Sequence, residues 1–181
     1  MDELTHLLLE AGEGDRMALH AFVRRTQADV WRFCAHLVDR QAADDLTQET
    51  YVRAMGSVHR FRADASARTW LLSIARRTCA DEIRQRQRRR PWERLTDEPP
   101  EVASPDPTGV GDLQALVDAL DHDRRAAFVL TQQLGLSYAE AADALEVPIG
   151  TVRSRVARAR EDLVTMLDAG PTHRRASRPP G

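Results

Sequence analysis

A concentration of groups able to hold a polyanion lies near the C-terminal end, where Arg153, Arg155, Arg158 and Arg160 fall within eight residues. Guanidinium offers forked donors that match guanine edges and phosphate oxygens. On a helical wheel of roughly 100° per residue, Val152, Val156, Ala159 and Leu163 lie within about 60° of one another and form an apolar stripe. The opposite side carries Arg153, Ser154, Ala157 and Arg158, with Arg155 and Arg160 on the shoulders. Small and guanidinium groups on the front suit base edges in a major groove, and shoulder arginines suit phosphates. The plain alternative is a solvated arginine face on a helical hairpin. Upstream, Ser137-Tyr138-Ala139-Glu140 has the form of a capping box, so a helix starts at Ser137. It breaks at Val147-Pro148-Ile149-Gly150, where Pro148 suits the first position of a following helix. Two such helices make a helix-turn-helix.

A second basic surface belongs to a longer helix, Ser66–Arg89, whose rise gives it a length of about 35 Å. Leu71, Ile74, Ala75, Thr78 and Cys79 share one side of it, and Trp70, Arg77, Arg84 and Arg88 share the other. An aromatic on a face with arginines is the layout for opened nucleic acid, where bases stack and phosphates pair. A lone Trp is more often core than a stacking platform, and only its angular position favours the functional reading. In Ala42–Val58, the i, i+3, i+4, i+7 spacing puts Asp45, Gln48, Glu49 and Val52 on one face, while Leu46, Thr50, Ala54 and Val58 form another stripe. Carboxylates repel phosphates, so the first face fits a basic protein partner better than DNA. A solvated acidic face is the alternative there.

Other chemistries lack support. The cysteines, Cys34 and Cys79, stand apart without a CxxC or a His/Cys cluster, which argues against a disulfide framework and a zinc site. Both are expected as buried apolar residues. The six histidines are scattered, and no phosphate loop or nucleophile–base pair is visible. The expectation is therefore no catalytic residue, no metal, no cofactor and no enzymatic activity. No run of about 18 apolar residues is present, and the acidic start Met1-Asp2-Glu3-Leu4 does not resemble a signal peptide. A cytoplasmic protein without membrane insertion is expected.

All 26 basic residues are Arg, a bias that a GC-rich genome would explain by itself. The net charge of −2 hides a segregation. Residues 1–59 carry −4, 60–94 carry +7, 95–123 carry −8 and 124–160 carry +3. Two basic blocks alternating with acidic ones read as two surfaces for a polyanion and further surfaces for something basic.

The elements that must position these groups are helical throughout, with apolar residues three and four apart and no alternating strand pattern. The periodicity predicts helices over Leu4–Glu10, Arg16–Val38, Ala42–Val58, Ser66–Arg89, Leu113–Leu120, Arg124–Leu134, Ser137–Leu145 and Pro148–Leu167. The stretch 91–112 holds five of the nine prolines and reads as a flexible acidic linker. The expected organisation is all-α: a first domain over 1–90, the linker, a helix-turn-helix domain over 113–169 and a disordered tail over 170–181. Each domain is small enough for a partner to contribute to its stability.

Taken together, the residues resemble an extracytoplasmic-function sigma factor of the sigma-70 family, over about residues 15–165. Four motifs carry the resemblance: Asp44-Asp45-Leu46-Thr47-Gln48-Glu49-Thr50; Arg68-Thr69-Trp70-Leu71-Leu72-Ser73-Ile74-Ala75-Arg76; Gly135 to Ala142 (GLSYAEAA); and Gly150 to Arg160 (GTVRSRVARAR). Leu130-Thr131-Gln132 before Leu134-Gly135 is similar to the actinobacterial sigma-C type. The resemblance implies that the first domain is like sigma domain 2 and the second like sigma domain 4, with core RNA polymerase and promoter DNA as partners. An anti-sigma factor is a further partner it allows. Asp45, Gln48, Glu49 and Val52 then match the contact to the clamp helices of the polymerase largest subunit. Trp70 matches the wedge at the opening minus-ten element. The loop with Phe61, Arg62, Asp64 and Ser66 matches the one that holds a flipped base, and Arg77, Arg84 and Arg88 continue that surface. Arg153, Ser154 and Arg158 match minus-thirty-five readers, with Arg155 and Arg160 beside them. The acidic linker would run towards the RNA exit path.

Three residues depart from the family's pattern. Arg77 stands where Asn is common and Ala67 where an aromatic is frequent, so base preference at the minus-ten element does not carry over, while Ala142, where Ile is common, is expected to thin the core of the helix-turn-helix. The competing reading is a helix-turn-helix regulator, usually a symmetric dimer, with the first domain as a sensor.

Overall fold

The structure is a computed structural model and describes residues 2–93 and 110–168. Helix α1 (Glu3–Gly12) starts at Asp2, whose carboxylate accepts the Thr5 amide at 3.0 Å. Helix α2 (Arg16–Leu37) starts at Asp15, which accepts the amides of Met17 and Ala18. Such caps satisfy amides that the first turn leaves without partners. Helix α3 (Ala43–Ser57) runs into a 3-10 turn at Val58–Arg60, and α4 (Ala67–Glu93) follows. The second half contains α5 (Val110–Asp118), α6 (His122–Phe128), a π turn (Val129–Gln133), α7 (Tyr138–Leu145) and α8 (Ile149–Asp168). No strand occurs among the described residues.

Several boundaries differ from expectation for local reasons. Helix α4 continues through Pro91 to Glu93, beyond the expected end at Arg89. The expected linker 91–112 thereby shortens at both ends, since α5 already begins at Val110. Its interior, 94–109, and the tail 170–181 lie outside the described residues. Helix α6 begins at His122 rather than Arg124, because Asp121 caps it by accepting the Asp123 amide at 3.1 Å. Its expected continuation to Leu134 widens into the π turn, where Leu134 N–H reaches back to the Val129 carbonyl at 2.9 Å. Pro148 precedes α8 rather than opening it, its carbonyl accepting the Thr151 amide at 2.9 Å.

The expected stripes are the buried ones. Leu46, Thr50 and Ala54 of α3, Leu71, Ile74, Ala75, Thr78 and Cys79 of α4, and Val152, Val156, Ala159 and Leu163 of α8 all lie inside. Leu72 joins them, as do Phe22 and Phe33 of α2. Full burial of a side chain as large as Phe contributes roughly 1.5–3 kcal/mol. Helix α1 covers the start of α4: Ala67 is fully buried and donates its amide to the Thr5 hydroxyl at 3.0 Å, which leaves no room for a larger residue. Ala142 is buried with only 7% exposure, the small side chain letting α7 sit close to its neighbours.

The two halves share one apolar core, which runs from Leu8, Phe22 and Leu71 through Val117 and Leu130 to Val152. Helix α7 packs on α4, while α5, α6 and the π turn pack on α2. Polar contacts tie the same seam. Arg68 Nη2 donates to Asp29 and to the Leu134 carbonyl, both at 2.6 Å. Buried His36 meets Asp118 at 3.0 Å and Gln114 at 2.8 Å.

Candidate nucleic-acid interface

The capping box is formed in full. Ser137 Oγ accepts the Glu140 amide at 3.2 Å, and Glu140 accepts the Ser137 amide at 2.8 Å. Helix α7 then ends in a Schellman turn: Val147 N–H bonds the Ala142 carbonyl at 3.1 Å and Glu146 N–H bonds that of Asp143 at 3.2 Å. This turn aims α8 so that Val152 and Val156 face the core while Arg153, Ser154, Ala157 and Arg158 face solvent. The front of the helix is open to a groove. The shoulders are less free than expected. Arg155 is ion-paired with Asp123 at the start of α6, and Arg160 donates to Gln132 at 2.8 Å. Ser154 turns its hydroxyl back onto the Thr151 carbonyl at 2.9 Å.

On α4 the expected face is present but partly occupied. Trp70 is half-buried, with its ring 5.2 Å from that of Phe61 and tilted by 51°. The loop before α4 exposes Arg62 and Asp64, and Ala63 between them holds φ 58°, a left-handed conformation costly for a residue with a Cβ. Ser66 is a cap: its hydroxyl accepts the Thr69 amide at 3.1 Å and meets the Thr69 hydroxyl at 2.9 Å, so it is committed to the helix start. Arg77, Arg84 and Arg88 are exposed along the helix. Arg84 pairs with Asp81, whose carboxyl is held below the usual range by hydrogen bonds from Arg53 and Arg84. Arg77 pairs with Glu146 of the second half.

The acidic face of α3 stands clear, with Asp45, Gln48, Glu49 and Val52 all exposed and Val52 67% so. Glu49 accepts from Arg53 at 2.7 Å, one turn on. Beside this face the sequence reading missed a trough of about 700 Å³ between α2 and α3, lined by Gln27, Trp31, Arg32, Asp44, Thr47 and Gln48 among others. Trp31 donates to Asp44 at 2.8 Å and lies under the Arg40 guanidinium, 5.6 Å from the ring centre. The available signal was the spacing of Gln27 and Trp31, one turn apart and so on one face of α2. No group of three or more His, Cys, Asp or Glu side chains suited to a metal ion occurs among the described residues. No described helix is long and apolar enough to cross a membrane.

Residues 22–89 match the sigma-70 region 2 family and residues 111–163 match the sigma-70 region 4 family. Over 175 residues the chain is 47% identical to the ECF RNA polymerase sigma factor SigC of Mycobacterium tuberculosis, covering 94% of this chain and 93% of the relative. It is 32% identical over 164 residues to the RNA polymerase sigma-H factor of Pseudomonas aeruginosa, covering 82% and 85%. Among solved structures it is similar to CnrH in complex with the cytosolic domain of CnrY, with a TM-score of 0.74 and 26% identity over 94% of this chain and all (100%) of that one. It is also similar to the sigma factor RpoE of Bartonella quintana in complex with the anti-sigma factor NepR, with a TM-score of 0.73 and 25% identity over 84% and 98%. The match of the first half to region 2 displaces the alternative in which it is a sensor domain. With region 2 and region 4 matched in order and close relatives along nearly its whole length, the chain belongs to the extracytoplasmic-function sigma factors of the sigma-70 family.

Proposed function

We propose that the chain serves as an initiation subunit of a bacterial RNA polymerase, working in the cytoplasm and contributing binding energy rather than chemistry. In this reading residues 1–90 dock on core polymerase through Asp45, Gln48, Glu49 and Val52 and engage the minus-ten element. Phe61, Arg62, Asp64 and Trp70 take the bases as strands part, and Arg77, Arg84 and Arg88 follow the backbone. Residues 113–169 read the minus-thirty-five element with Arg153, Ser154 and Arg158, while Arg155 and Arg160 meet phosphates. The stretch 91–112 connects the two, and catalysis with its metal belongs to the polymerase.

The observation that carries this reading is an exposed acidic face on α3 coexisting with two separate exposed arginine faces, on α4 and α8. A polymerase-free regulator needs one DNA surface; a subunit that spans two promoter elements needs two and a protein dock. The solved complex of RpoE with NepR supports an anti-sigma protein as a further partner here. Run-off transcription with core polymerase and genomic DNA, with start sites mapped, tests the function. Discrete starts that require both proteins are expected; an absence of any start dependent on this chain would refute it.

A further inference from the structure

Helices α2 and α3 run antiparallel: Trp31 bonds Asp44, and further along the pair Tyr51 Oη meets Thr26 Oγ1 at 2.7 Å. The same register brings Met55 against Leu19 and Val23 and sets the 3-10 turn Val58–Arg60 beside the start of α2. The turn between α1 and α2 closes on this place too, since a Cβ on Gly12 would lie 3.6 Å from Val58 Cγ2.

A group of cations gathers there. Arg16, His20 and Arg24 follow one another at four-residue intervals and share one exposed face of α2, and exposed His59 and Arg60 continue it. Nearby arginines are neutralised, Arg25 by Glu3 and Arg53 by Glu49 and Asp81. Arg16, Arg24 and Arg60 have no ion pair among the described residues, and Asp15 beside them is committed to capping α2. Uncompensated like charges on one surface cost the fold stability and raise the local concentration of anions. Inside this rim lies a cleft of about 370 Å³, lined by Leu19, His20, Val23, Arg24, Gln27 and Met55. Leu19, Val23 and Met55 form a half-buried apolar floor, and the other three are exposed at the edge. An apolar floor within a cationic rim matches a nucleotide, whose base seeks the floor and whose phosphates seek the rim. A basic protein partner, which suits the acidic face of α3, is repelled by this rim.

The cleft also lies where a strand would arrive. The loop with Phe61, Arg62 and Asp64 is bounded on one side by α4, with Trp70 in its first turn, and on the other by Arg60. A strand laid along α4 from Arg88 to Trp70 and through the loop therefore reaches Arg60 and the cleft next. We propose that the α2–α3 cleft is a second base site: it takes a further unpaired base of the strand beyond the one held by the loop, with Arg16, Arg24 and Arg60 on the flanking phosphates. The proposal rests on the reading of the loop and Trp70 as a strand-binding surface. The occupant is single-stranded, because stacked and paired bases in a duplex do not present a face to an apolar cleft.

The test titrates the full chain into fluorescein-labelled oligothymidine of about 12 nucleotides, within the usual reach of strand-binding surfaces, and into an abasic strand of equal length. Affinity is read by anisotropy across a range of salt. Arg16→Ala, Arg24→Ala and Arg60→Ala should each weaken both strands about two- to fivefold, as for one exposed ion pair. Each should also lower the salt slope by about 0.7. Met55→Ser should weaken the thymidine strand about fourfold, the equivalent of one buried methylene, and leave the abasic strand unchanged, whereas Met55→Leu keeps the floor and should bind as the parent does. Arg40→Ala removes the same charge from α2 outside the rim, where Arg40 stacks on Trp31, and should also bind as the parent does. Arg62→Ala and Trp70→Ala report on the loop. If those two weaken binding while the rim variants match the parent, or lose no more than Arg40→Ala, the cleft is not a site and the loop reading stands. If the rim variants weaken both strands but Met55→Ser affects both alike or neither, the arginines hold only backbone and the base site is wrong. If Arg62→Ala and Trp70→Ala both bind as the parent does, the strand-binding reading falls and the path to the cleft falls with it.

Discussion

Trp70 spends part of its ring on Phe61 and presents the rest beside Arg77, so one side chain serves packing and the proposed stacking together. Base–aromatic stacking is worth on the order of 1–3 kcal/mol, enough to shift a near-balanced opening equilibrium by one to two orders of magnitude. Trp70→Ala should leave closed promoter complexes nearly intact, deplete permanganate-reactive open complexes, and regain much of its activity on a premelted bubble. A variant that melts early and stays inactive on the bubble would mean that Trp70 is only core. The cysteines invite a different expectation. Contact with Cys34, together with burial, pushes the Cys79 thiol far above its usual value, and both residues are fully buried. Thiolate is the reactive form, so neither should react with iodoacetamide in the native protein, and both should do so in urea. Labelling followed by mass analysis checks this.

Helix α3 shows how one element divides its labour by face: Leu46, Thr50 and Ala54 hold it to the core and Asp45, Gln48, Glu49 and Val52 are left to a partner. Charge reversal at Glu49 or Asp45 should therefore weaken binding to core polymerase while circular dichroism stays helical. Unchanged affinity in both variants would remove the assignment of this face. Helix α8 divides in the same way, with a further split among its arginines. Alanine at Arg153 or Arg158 should cost roughly 1–3 kcal/mol of discrimination and relax preference at particular base pairs. Alanine at Arg155 or Arg160 should weaken all sequences alike and lower the salt slope by about one. Arg155→Ala should also destabilise the fold by up to about 1 kcal/mol, since its pair with Asp123 is partly exposed. Binding measured across a set of operator variants and salt concentrations separates the two pairs, and identical behaviour would show that the faces are misassigned.

For the whole molecule, half-buried His122 of α6 contributes to how stability responds to pH. Burial lowers the pKa of His122 from its usual 6.5, Arg125 and Arg76 add to the effect, and Asp123 and Asp121 oppose it. Well above pH 6.5 His122 is neutral whether the chain is folded or not, and it costs nothing. As pH falls below that value the unfolded chain takes up the proton first, so stability declines until the lowered folded pKa is passed. Urea midpoints between about pH 5 and 7 should thus fall with acid. His122→Gln should flatten that segment of the profile, and a profile equally steep in the variant would assign the dependence elsewhere.

Helical class, the buried stripes of α3, α4 and α8, the capping box and the exposed front of α8 were legible from residue types alone. Each is decided within a few turns by periodicity and by local hydrogen bonding. Boundaries such as the start of α6 at His122 were legible in principle, through Asp121, but competed with an equally plausible apolar pattern beginning later. What the sequence left open is what depends on residues far apart in the chain. The trough beside Trp31, the cover that α1 places on Ala67, and the pairing of Arg76 and Arg77 with Glu146 all need the second partner's position. A helical wheel sorts side chains into inside and outside for one helix, yet it cannot say which outside face another helix will cover. Only the packing of α7 on α4 turned an exposed arginine face into one already holding a carboxylate.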